Sequence, residues 1–121
     1  SQIAPQRPEP EFSLRVVKGE PEARQISLKG GDATFTVGRE EKNRVMLLSR
    51  SVSRLHATLV RLHTRIWLRD EGSRYGTLVN GERVKICFLG AGDKVVMGQV
   101  EIVFEVNVKD SSRKPGSFLR S

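Results

Sequence analysis

Residues 53–57 read SRLHA, and the stretch DEGSRYGTLVNG occupies residues 70–81, beginning 17 residues after Ser53. A Gly38-Arg39 pair lies 15 residues before Ser53. Each of these three segments adjoins a short apolar run that is typical of a β-strand. Loops between such strands can collect at one end of a β-sandwich. We therefore expect arginines, hydroxyls and backbone N–H groups to converge there on a single anion.

Short strand-like segments separated by turns fill the chain from residue 12 to residue 108. None sustains a helical period over three turns, and this pattern predicts an all-β sandwich or barrel. The predicted strands are Phe12–Val17, Gln25–Leu28, Thr34–Val37, Arg44–Leu48, His56–Leu62, Arg65–Arg69, Thr77–Val79, Lys94–Met97 and Val100–Val108. Five large apolar residues are expected in the core, where burial favours them: Leu59, Trp67, Leu68, Val96 and Phe104.

The two ends of the chain differ from this region in composition. Residues 1–11 are proline-rich and predict a disordered or extended arm. Residues 12–108 predict one folded domain, and residues 109–121 a basic tail or linker. A chain of 121 residues is long enough for one modest core.

Charge and cysteine content limit the possible settings. The chain has 21 Lys and Arg against 14 Asp and Glu, a net charge of +7, which suits nucleic acid, acidic membrane or phosphorylated protein without choosing among them. No apolar run is long enough for a spanning helix, which predicts no membrane partner. The single cysteine, Cys87, cannot form an internal disulfide. Together with an N-terminus unlike a secretion signal, this predicts an intracellular protein.

The three segments together resemble the forkhead-associated (FHA) domain, a module that recognises phosphothreonine. The G-R, S-R-x-H and S-x-x-G-T-x-x-N-G blocks of that family occur here in order and at family-like spacing. The resemblance covers residues 12–108 and implies an FHA-type sandwich of about eleven strands. It also implies phosphothreonine-containing protein segments as partners, with self-association through phosphorylated tails as a further possibility.

The resemblance assigns roles to individual residues. Four would hold the phosphate: Arg39, Ser53, Arg54 and Arg74. Two more would belong to the phosphopeptide-binding surface: Tyr75 and Asn80. Tyr75 stands where the family commonly has an asparagine that holds the peptide backbone, and a tyrosine cannot reproduce that amide's paired donor and acceptor. Structural roles fall to Gly38, His56, Gly76 and Thr77.

An enzymatic interpretation is weaker. Ser53, His56 and Asp70 are the residue types of a hydrolase triad, but an offset of three places the first two on opposite faces of an extended segment. The chain also lacks a Gly-x-Ser-x-Gly elbow. One cysteine and two histidines make no zinc pattern, and no glycine-rich nucleotide loop is present. We predict no catalytic residues, no metal site and no cofactor.

The sequence therefore predicts a phosphothreonine-dependent protein interaction module. A similar Tyr-Gly-Thr turn in a DNA-damage mediator favours nuclear signalling, such as the DNA-damage response or the cell cycle. Two alternatives stay open. One is an FHA-like scaffold that binds its partner through a sheet face, independently of phosphate. The other is a basic nucleic-acid-binding domain, which the scarcity of aromatic residues makes less favoured.

Overall fold

The computed structural model describes residues 10–29 and 33–108 of the chain. Within these ranges the chain forms eleven β-strands and no helix, and therefore no helix long and apolar enough to cross a membrane. In chain order the strands are β1 (Pro10–Lys18), β2 (Arg24–Leu28), β3 (Ala33–Gly38), β4 (Val45–Met46), β5 (Ala57–Leu62), β6 (Arg65–Asp70), β7 (Thr77–Val79), β8 (Glu82–Val84), β9 (Ile86–Leu89), β10 (Lys94–Met97) and β11 (Val100–Val108).

These strands form two sheets with one core of buried side chains between them, which confirms the predicted all-β sandwich. The larger sheet has the strand order β2-β1-β11-β10-β7-β8, and the smaller sheet has the order β4-β3-β5-β6-β9. Strands β3 and β4 run parallel. The other pairs are antiparallel, as expected for a chain of short strands joined by turns.

Side-chain alternation on the two long strands builds the centre of the core. Phe12, Leu14 and Val16 of β1 are buried, while the residues between them face outward. Leu14 lies opposite Phe104 of β11, and the rings of Phe12 and Phe104 stack with centroids 5.4 Å apart. Each buried side chain of this size contributes about 1.5–3 kcal/mol to folding, so this pair of strands anchors the sandwich.

The strand register brings several loops to one end of the sandwich. In the smaller sheet, Val37, Ala57 and Asp70 are direct neighbours on β3, β5 and β6. In the larger sheet, Met97 and Thr77 are direct neighbours on β10 and β7. The Thr77 hydroxyl donates a hydrogen bond of 2.7 Å to the Asp70 carboxylate and so joins the ends of the two sheets. The loops that adjoin these strand ends are therefore neighbours.

Two of the eleven strands were not predicted individually. β8 is three residues long and largely polar, so it carries no readable alternation. β9 is a short apolar run that follows β8 after a single residue, and periodicity alone does not separate such a run from its surroundings. Both are edge strands, one in each sheet.

Strand ends also differ from the sequence prediction. β1 begins at Pro10, which pairs with Val108, so the last two residues of the predicted arm belong to the sheet. Strand β4 is shorter than predicted, because the Leu48 N–H bonds to the Glu20 carboxylate rather than to a strand. The remainder of the predicted arm and the predicted C-terminal tail lie outside the described residues.

Three of the five residues predicted for the core are buried: Leu59, Leu68 and Phe104. The other two, Trp67 and Val96, are only half-buried. Ile66 and Leu68 face inward, so alternation turns Trp67 to the outer face, where its ring lies 4.4 Å from that of Phe88. Arg65 and Arg69 are exposed on the same face as Trp67, so alternation did mark this face as outward, and the size of the Trp67 ring was the misleading signal.

Arg61 is a charged residue within the core, at the end of the sandwich away from the converging loops. It is 4% exposed, and its guanidinium donates to the carbonyl oxygens of Pro10, at 2.8 Å, and Leu28, at 3.2 Å. The same group lies 4.5 Å from the centroid of the Phe12 ring. One side chain on β5 thus links the smaller sheet to two strands of the larger one.

We expect Arg61→Ala to lower the free energy of unfolding by about 2–4 kcal/mol, because it leaves two buried carbonyls without a donor. Arg65→Ala, an exposed arginine four residues away on the same hairpin, should cost less than about 1 kcal/mol. Urea unfolding followed by Trp67 fluorescence would measure both. Equal losses for the two variants would show that Arg61 does not link the sheets.

Candidate functional site

Three backbone hydrogen bonds fix the loops at this end of the sandwich to the end of β3. The Arg39 N–H donates to Ser53 O at 3.0 Å, and the His56 N–H donates to Val37 O at 2.8 Å. The Leu47 N–H donates to the carbonyl of the glycine that ends β3, at 2.9 Å. The β4–β5 loop, residues 47–56, is therefore held along its length against the segment that carries Arg39.

Gly38 is required by close packing. A Cβ atom at this position would lie 2.0 Å from the Arg54 carbonyl oxygen, far inside van der Waals contact. The φ angle of Gly38 is not positive, so a left-handed backbone conformation is not the reason for the glycine. The buried Asn43 side chain completes this junction by donating to the Arg54 carbonyl at 2.7 Å and to the Glu40 carbonyl at 3.0 Å.

His56 joins the β4–β5 loop to the β6–β7 loop, residues 71–76. Its ring is fully buried, and Nδ1 accepts the Ser53 N–H at 3.0 Å while Nε2 lies 2.9 Å from Gly76 O. A backbone N–H can only donate and a carbonyl can only accept, which fixes a neutral ring with its proton on Nε2. Burial lowers the pKa of His56, although the Gly76 carbonyl and the Asp70 charge oppose this effect. The ring is thus a neutral structural bridge.

Ser53 lies where the two loops meet. Its N–H is bound by His56 and its carbonyl by the Arg39 N–H, so the backbone is fixed on both sides. Its Oγ accepts the Arg74 N–H at 2.9 Å. A hydroxyl that accepts one hydrogen bond still has its own hydrogen to donate, and the Ser53 O–H is available to a ligand oxygen.

Asp70 shapes the β6–β7 loop from inside. Its two oxygens accept hydrogen bonds from the Gly72 and Ser73 N–H groups, both at 3.0 Å, and from the hydroxyls of Ser73, at 2.6 Å, and Thr77, at 2.7 Å. Burial alone would raise the pKa of Asp70, but the hydrogen bonds from Ser73 and Thr77 outweigh burial and lower it. The carboxylate therefore stays ionised and turns the chain toward Arg74.

Four exposed arginines surround the junction of these loops: Arg39, Arg50, Arg54 and Arg74. The Arg39 Nε–H donates to Val52 O at 3.0 Å, which directs the guanidinium across the β4–β5 loop. Among the residues that the structure describes, no carboxylate forms an ion pair with any of the four. Their positive charge is thus not neutralised within the described fold.

These side chains line a shallow depression of about 290 Å³. Five of the six predicted phosphopeptide-binding residues meet there: Arg39, Ser53, Arg54, Arg74 and Tyr75. A wider groove of about 600 Å³ shares Arg50, Arg74 and Tyr75 with the depression and continues to the β10–β11 turn at Gly98 and Gln99. Tyr75 is 57% exposed, and the Arg74 guanidinium lies 5.4 Å from its ring centroid.

The structure does not bring Asn80 to this cluster. Its Nδ2 donates to Asp93 at 2.9 Å, and its Oδ1 accepts the Lys94 N–H at 2.9 Å. Asn80 has a φ of 51° and Gly81 a φ of 88°, a conformation typical of the tight turn between two paired strands. Asn80 therefore fixes the β7–β8 hairpin to β10, and its place on a peptide-binding surface has no geometric support.

Two residues with structural roles lie where the β6–β7 loop leads into β7. Gly76 has a φ of 84°, which favours glycine, and a Cβ there would lie 2.7 Å from the Arg83 Nε. Thr77 is fully buried and bonds to Asp70.

The sequence did not lead us to predict that Asp70 and Asn43 shape the loops. For Asp70 a local signal existed, because Asp followed by Gly and Ser at the end of a strand is typical of a turn closed by the aspartate side chain. Asn43 offered no such signal, since its partner Arg54 lies 11 residues away in the chain.

The residue types of a hydrolase triad do not form one. Neither ring nitrogen of His56 bonds to the Ser53 hydroxyl or to the Asp70 carboxylate. Within residues 10–29 and 33–108, no group of three His, Cys, Asp or Glu side chains is placed to hold a metal ion.

The sequence model of the FHA domain matches residues 35–98, just over half of the chain. The chain belongs to the FHA domain family. The β4–β5 and β6–β7 loops of the site, and the strands that flank them, lie within the matched segment. The predicted family membership is thereby confirmed, and FHA domains are interaction modules.

Relatives of known identity extend this assignment. Over 68 residues the FHA domain is 40% identical to the ABC transporter ATP-binding/permease protein Rv1747 of Mycobacterium tuberculosis, an alignment that covers 56% of this chain and 8% of the transporter. An FHA structure from an analysis of phosphothreonine-dependent FHA domain interactions has a TM-score of 0.71 and 26% identity, and covers 78% of this chain and 95% of its own. M. tuberculosis EmbR, solved with a low-affinity phosphopeptide, has a TM-score of 0.69 and 26% identity over 81% of this chain and 25% of EmbR.

The lowered pKa of His56 has a consequence for stability. Below the ordinary value of about 6.5 the unfolded chain takes up a proton that the folded ring does not. We therefore expect the free energy of unfolding to fall between about pH 7.5 and pH 5, by at most about 1.4 kcal/mol per pH unit. Asp70, whose pKa is also lowered, should add to the loss only in more acidic solution, below its ordinary value of 3.8.

Urea midpoints across this range would test the linkage in wild type and in His56→Gln. His56→Gln should be less stable than the wild type at every pH, and its free energy of unfolding should change much less with pH. His63→Asn removes the other histidine, which lies in an exposed turn, and should keep the pH dependence of the wild type. A wild-type slope that persists in His56→Gln would contradict the assignment.

Proposed function

We propose that this domain binds phosphothreonine in extended segments of partner proteins, with Arg39, Ser53, Arg54 and Arg74 holding the phosphate. One observation carries the proposal: hydrogen-bond donors on three loops converge on one depression, and the described residues supply no carboxylate to neutralise them. A phosphate dianion offers the matching charge and acceptor oxygens. The phosphopeptide found with EmbR supports the same ligand class.

The donors suit this ligand because their backbones are already fixed. Arg39 is held by its own N–H and Nε–H bonds to the β4–β5 loop, and Ser53 by three hydrogen bonds. Binding then restricts only the outer parts of the arginine side chains, which keeps the entropic cost low. The Ser53 hydroxyl and the guanidinium groups would each donate to a different phosphate oxygen.

Selection of threonine over serine would depend on the γ-methyl group. Val52 and Leu55 are the aliphatic residues that line the depression. A buried methyl contributes about 0.8 kcal/mol, roughly a fourfold preference, so a larger preference would require tight packing against these side chains. Tyr75 would contact the ligand backbone or a flanking side chain through its exposed ring or hydroxyl.

The relatives do not define a cellular setting for this domain. Mycobacterium tuberculosis, the source of the transporter and of EmbR, is a bacterium, so these relatives give no support to a nuclear or DNA-damage role. An intracellular location stays a prediction, as does self-association through phosphorylated tails. The chain spans only 8% of the transporter, so transport is not part of the proposal.

A phosphothreonine peptide chosen from a library, and its unphosphorylated twin, would test the proposal by calorimetry. Each lost charge-assisted hydrogen bond costs about 1.5–3 kcal/mol. Dephosphorylation removes several of these bonds and should abolish measurable binding. Arg39→Ala should weaken binding of the phosphorylated peptide at least tenfold, while the thermal midpoint changes by only a few degrees.

Arg15→Ala is the matched control, since Arg15 is an exposed arginine on β1 whose partner is Glu105. It should bind the phosphopeptide like the wild type. Equal affinity for the two peptide forms would refute the proposed function, and equal weakening by Arg15→Ala and Arg39→Ala would refute the assigned site.

A second candidate function rests on the outer face of the smaller sheet. Val60, Trp67 and Phe88 form a continuous row across β5, β6 and β9, and Phe88 and Ile86 are about half exposed. The Arg65 guanidinium lies 4.6 Å from the Phe88 ring centroid. Such an exposed apolar face, next to an edge strand, favours a partner that docks on the sheet without phosphate. The row also places aromatic rings beside a basic residue, which the nucleic-acid alternative requires.

The two surfaces can be separated by a pair of variants. A partner that docks on the sheet should lose at least tenfold in affinity with Phe88→Ser, because the ring and its contact with Trp67 are removed, and should be unaffected by Arg39→Ala. A phosphopeptide should show the reverse. Trp67, the only tryptophan, would report docking by a change in fluorescence. A partner lost with Arg39→Ala and retained with Phe88→Ser would rule out the sheet face.

A further inference from the structure

The β4–β5 loop is fixed at its beginning by a carboxylate from a distant part of the chain. Glu20, in the β1–β2 connection, accepts the Leu48 N–H at 2.8 Å and the Arg24 Nε–H at 2.8 Å. Arg24 also donates to the carbonyl oxygen of Met46. The Glu20–Arg24 ion pair thus binds the Met46 carbonyl at the end of β4 and the Leu48 N–H in the loop that follows.

The bond between Glu20 and the Leu48 N–H adds to the restraint from the neighbouring Leu47, which is buried and bonded to the Gly38 carbonyl. The Leu48 side chain is 58% exposed, so packing does not hold the residue in place. The Glu20 side chain, in contrast, is only 3% exposed. Burial alone would raise the pKa of Glu20, but the bonds from Arg24 and from the Leu48 N–H outweigh burial and lower it. The acceptor is therefore a carboxylate fixed within the fold.

Glu20 itself is placed by close backbone packing. The preceding Gly19 has a φ of 95°, and a Cβ there would lie 2.3 Å from the Gln99 carbonyl oxygen. The Gln99 N–H in turn donates to Ser51 Oγ at 2.8 Å. The β1–β2 connection, the β10–β11 turn and the β4–β5 loop therefore form one contiguous contact, and Glu20 is not among the residues that line the depression.

We propose that Glu20 is a positioning residue for phosphopeptide binding, whose carboxylate, paired with Arg24, holds the beginning of the β4–β5 loop so that Arg50, Ser53 and Arg54 face the phosphate. The inference rests on the proposed function. At 3% exposure Glu20 cannot contact a ligand, so it acts through the loop. The Leu48 N–H is two residues before Arg50, and the Ser49 carbonyl next to it accepts the Val52 N–H at 3.0 Å. A shift at Leu48 is therefore transmitted directly into the arginine-bearing turn.

Glu20→Gln is the test variant, because it keeps the size and the acceptor oxygen but removes the charge that holds Arg24. We expect phosphopeptide affinity to fall three- to tenfold, mainly through faster dissociation, with dephosphorylation still abolishing binding. Glu105→Gln is the matched control: it breaks another Glu–Arg pair, with Arg15 at 2.7 Å, on the sheet surface. This control should bind like the wild type.

Hydrogen exchange in the ligand-free protein separates positioning from general stability. In Glu20→Gln the amides of Val52, Ser53 and Arg74 should exchange three- to tenfold faster than in the wild type. The Phe104 amide, bonded to Asp93 O in a different part of the sandwich, should be unchanged. Should Glu20→Gln fail to fold, Arg24→Gln breaks the same ion pair and leaves the Glu20–Leu48 bond, and the same results are expected from it at smaller size.

Several results would overturn the inference. They are phosphopeptide affinity equal to that of Glu105→Gln, faster exchange confined to Leu48, or equal acceleration at Phe104, which would show only a less stable fold. Failure of the wild-type domain to discriminate the phosphorylated from the unphosphorylated peptide would instead refute the proposed function. In that case exchange at Val52 and Ser53 alone would decide whether Glu20 positions the loop.

Discussion

One buried imidazole holds together the two loops that carry most of the proposed phosphate site. His56 accepts a hydrogen bond from the backbone of one loop and donates one to the backbone of the other, and only its neutral form with the proton on Nε2 can do both. Because the ring is fully buried, neither loop can shift without leaving a polar group unpaired. The ring thus fixes the backbone at Ser53 and at Gly76, and the bonds from Arg39 to Ser53 and from Ser73 to Asp70 add to this restraint.

The acidic and the basic side chains near the site have different roles. The carboxylates of Asp70, which is half-buried, and Glu20, whose side chain is buried, accept backbone N–H groups and shape loops, and none of the site arginines is their partner. The arginines remain exposed and without an ion pair among the described residues, which costs little in stability. A positive surface can persist in this way because the acids that could have neutralised it are used to build the loops. The same division explains why Arg39 is expected to matter for binding and His56 for folding.

The sequence was informative where a signal is local and silent where a partner is distant. Alternation and turn residues located nine strands, and three spaced motifs located Arg39, Ser53 and Arg74 at one end of the sandwich. Trp67 was placed in the core because of its size, although Arg65 and Arg69 on the same face of β6 mark that face as outward. Asn80 was grouped with the site because it lies in the same motif, but its side chain turns toward Asp93. Glu20 carried no signal at all, because its contact with Leu48 spans 28 residues.

In the proposed site, the residues that would hold the phosphate differ from those that would contact the rest of the ligand. The proposed phosphate donors are positioned by hydrogen bonds and close packing that involve Gly38, His56 and Asp70. The adjoining groove is lined by Arg50, Tyr75 and Gln99, whose side chains are exposed and weakly restrained. An exposed charge pair contributes at most about 1 kcal/mol and is screened by salt. Discrimination among phosphorylated segments should therefore be modest and fade at high ionic strength. Dependence on the phosphate should persist there, because several hydrogen bonds from groups that the fold has already placed would act together.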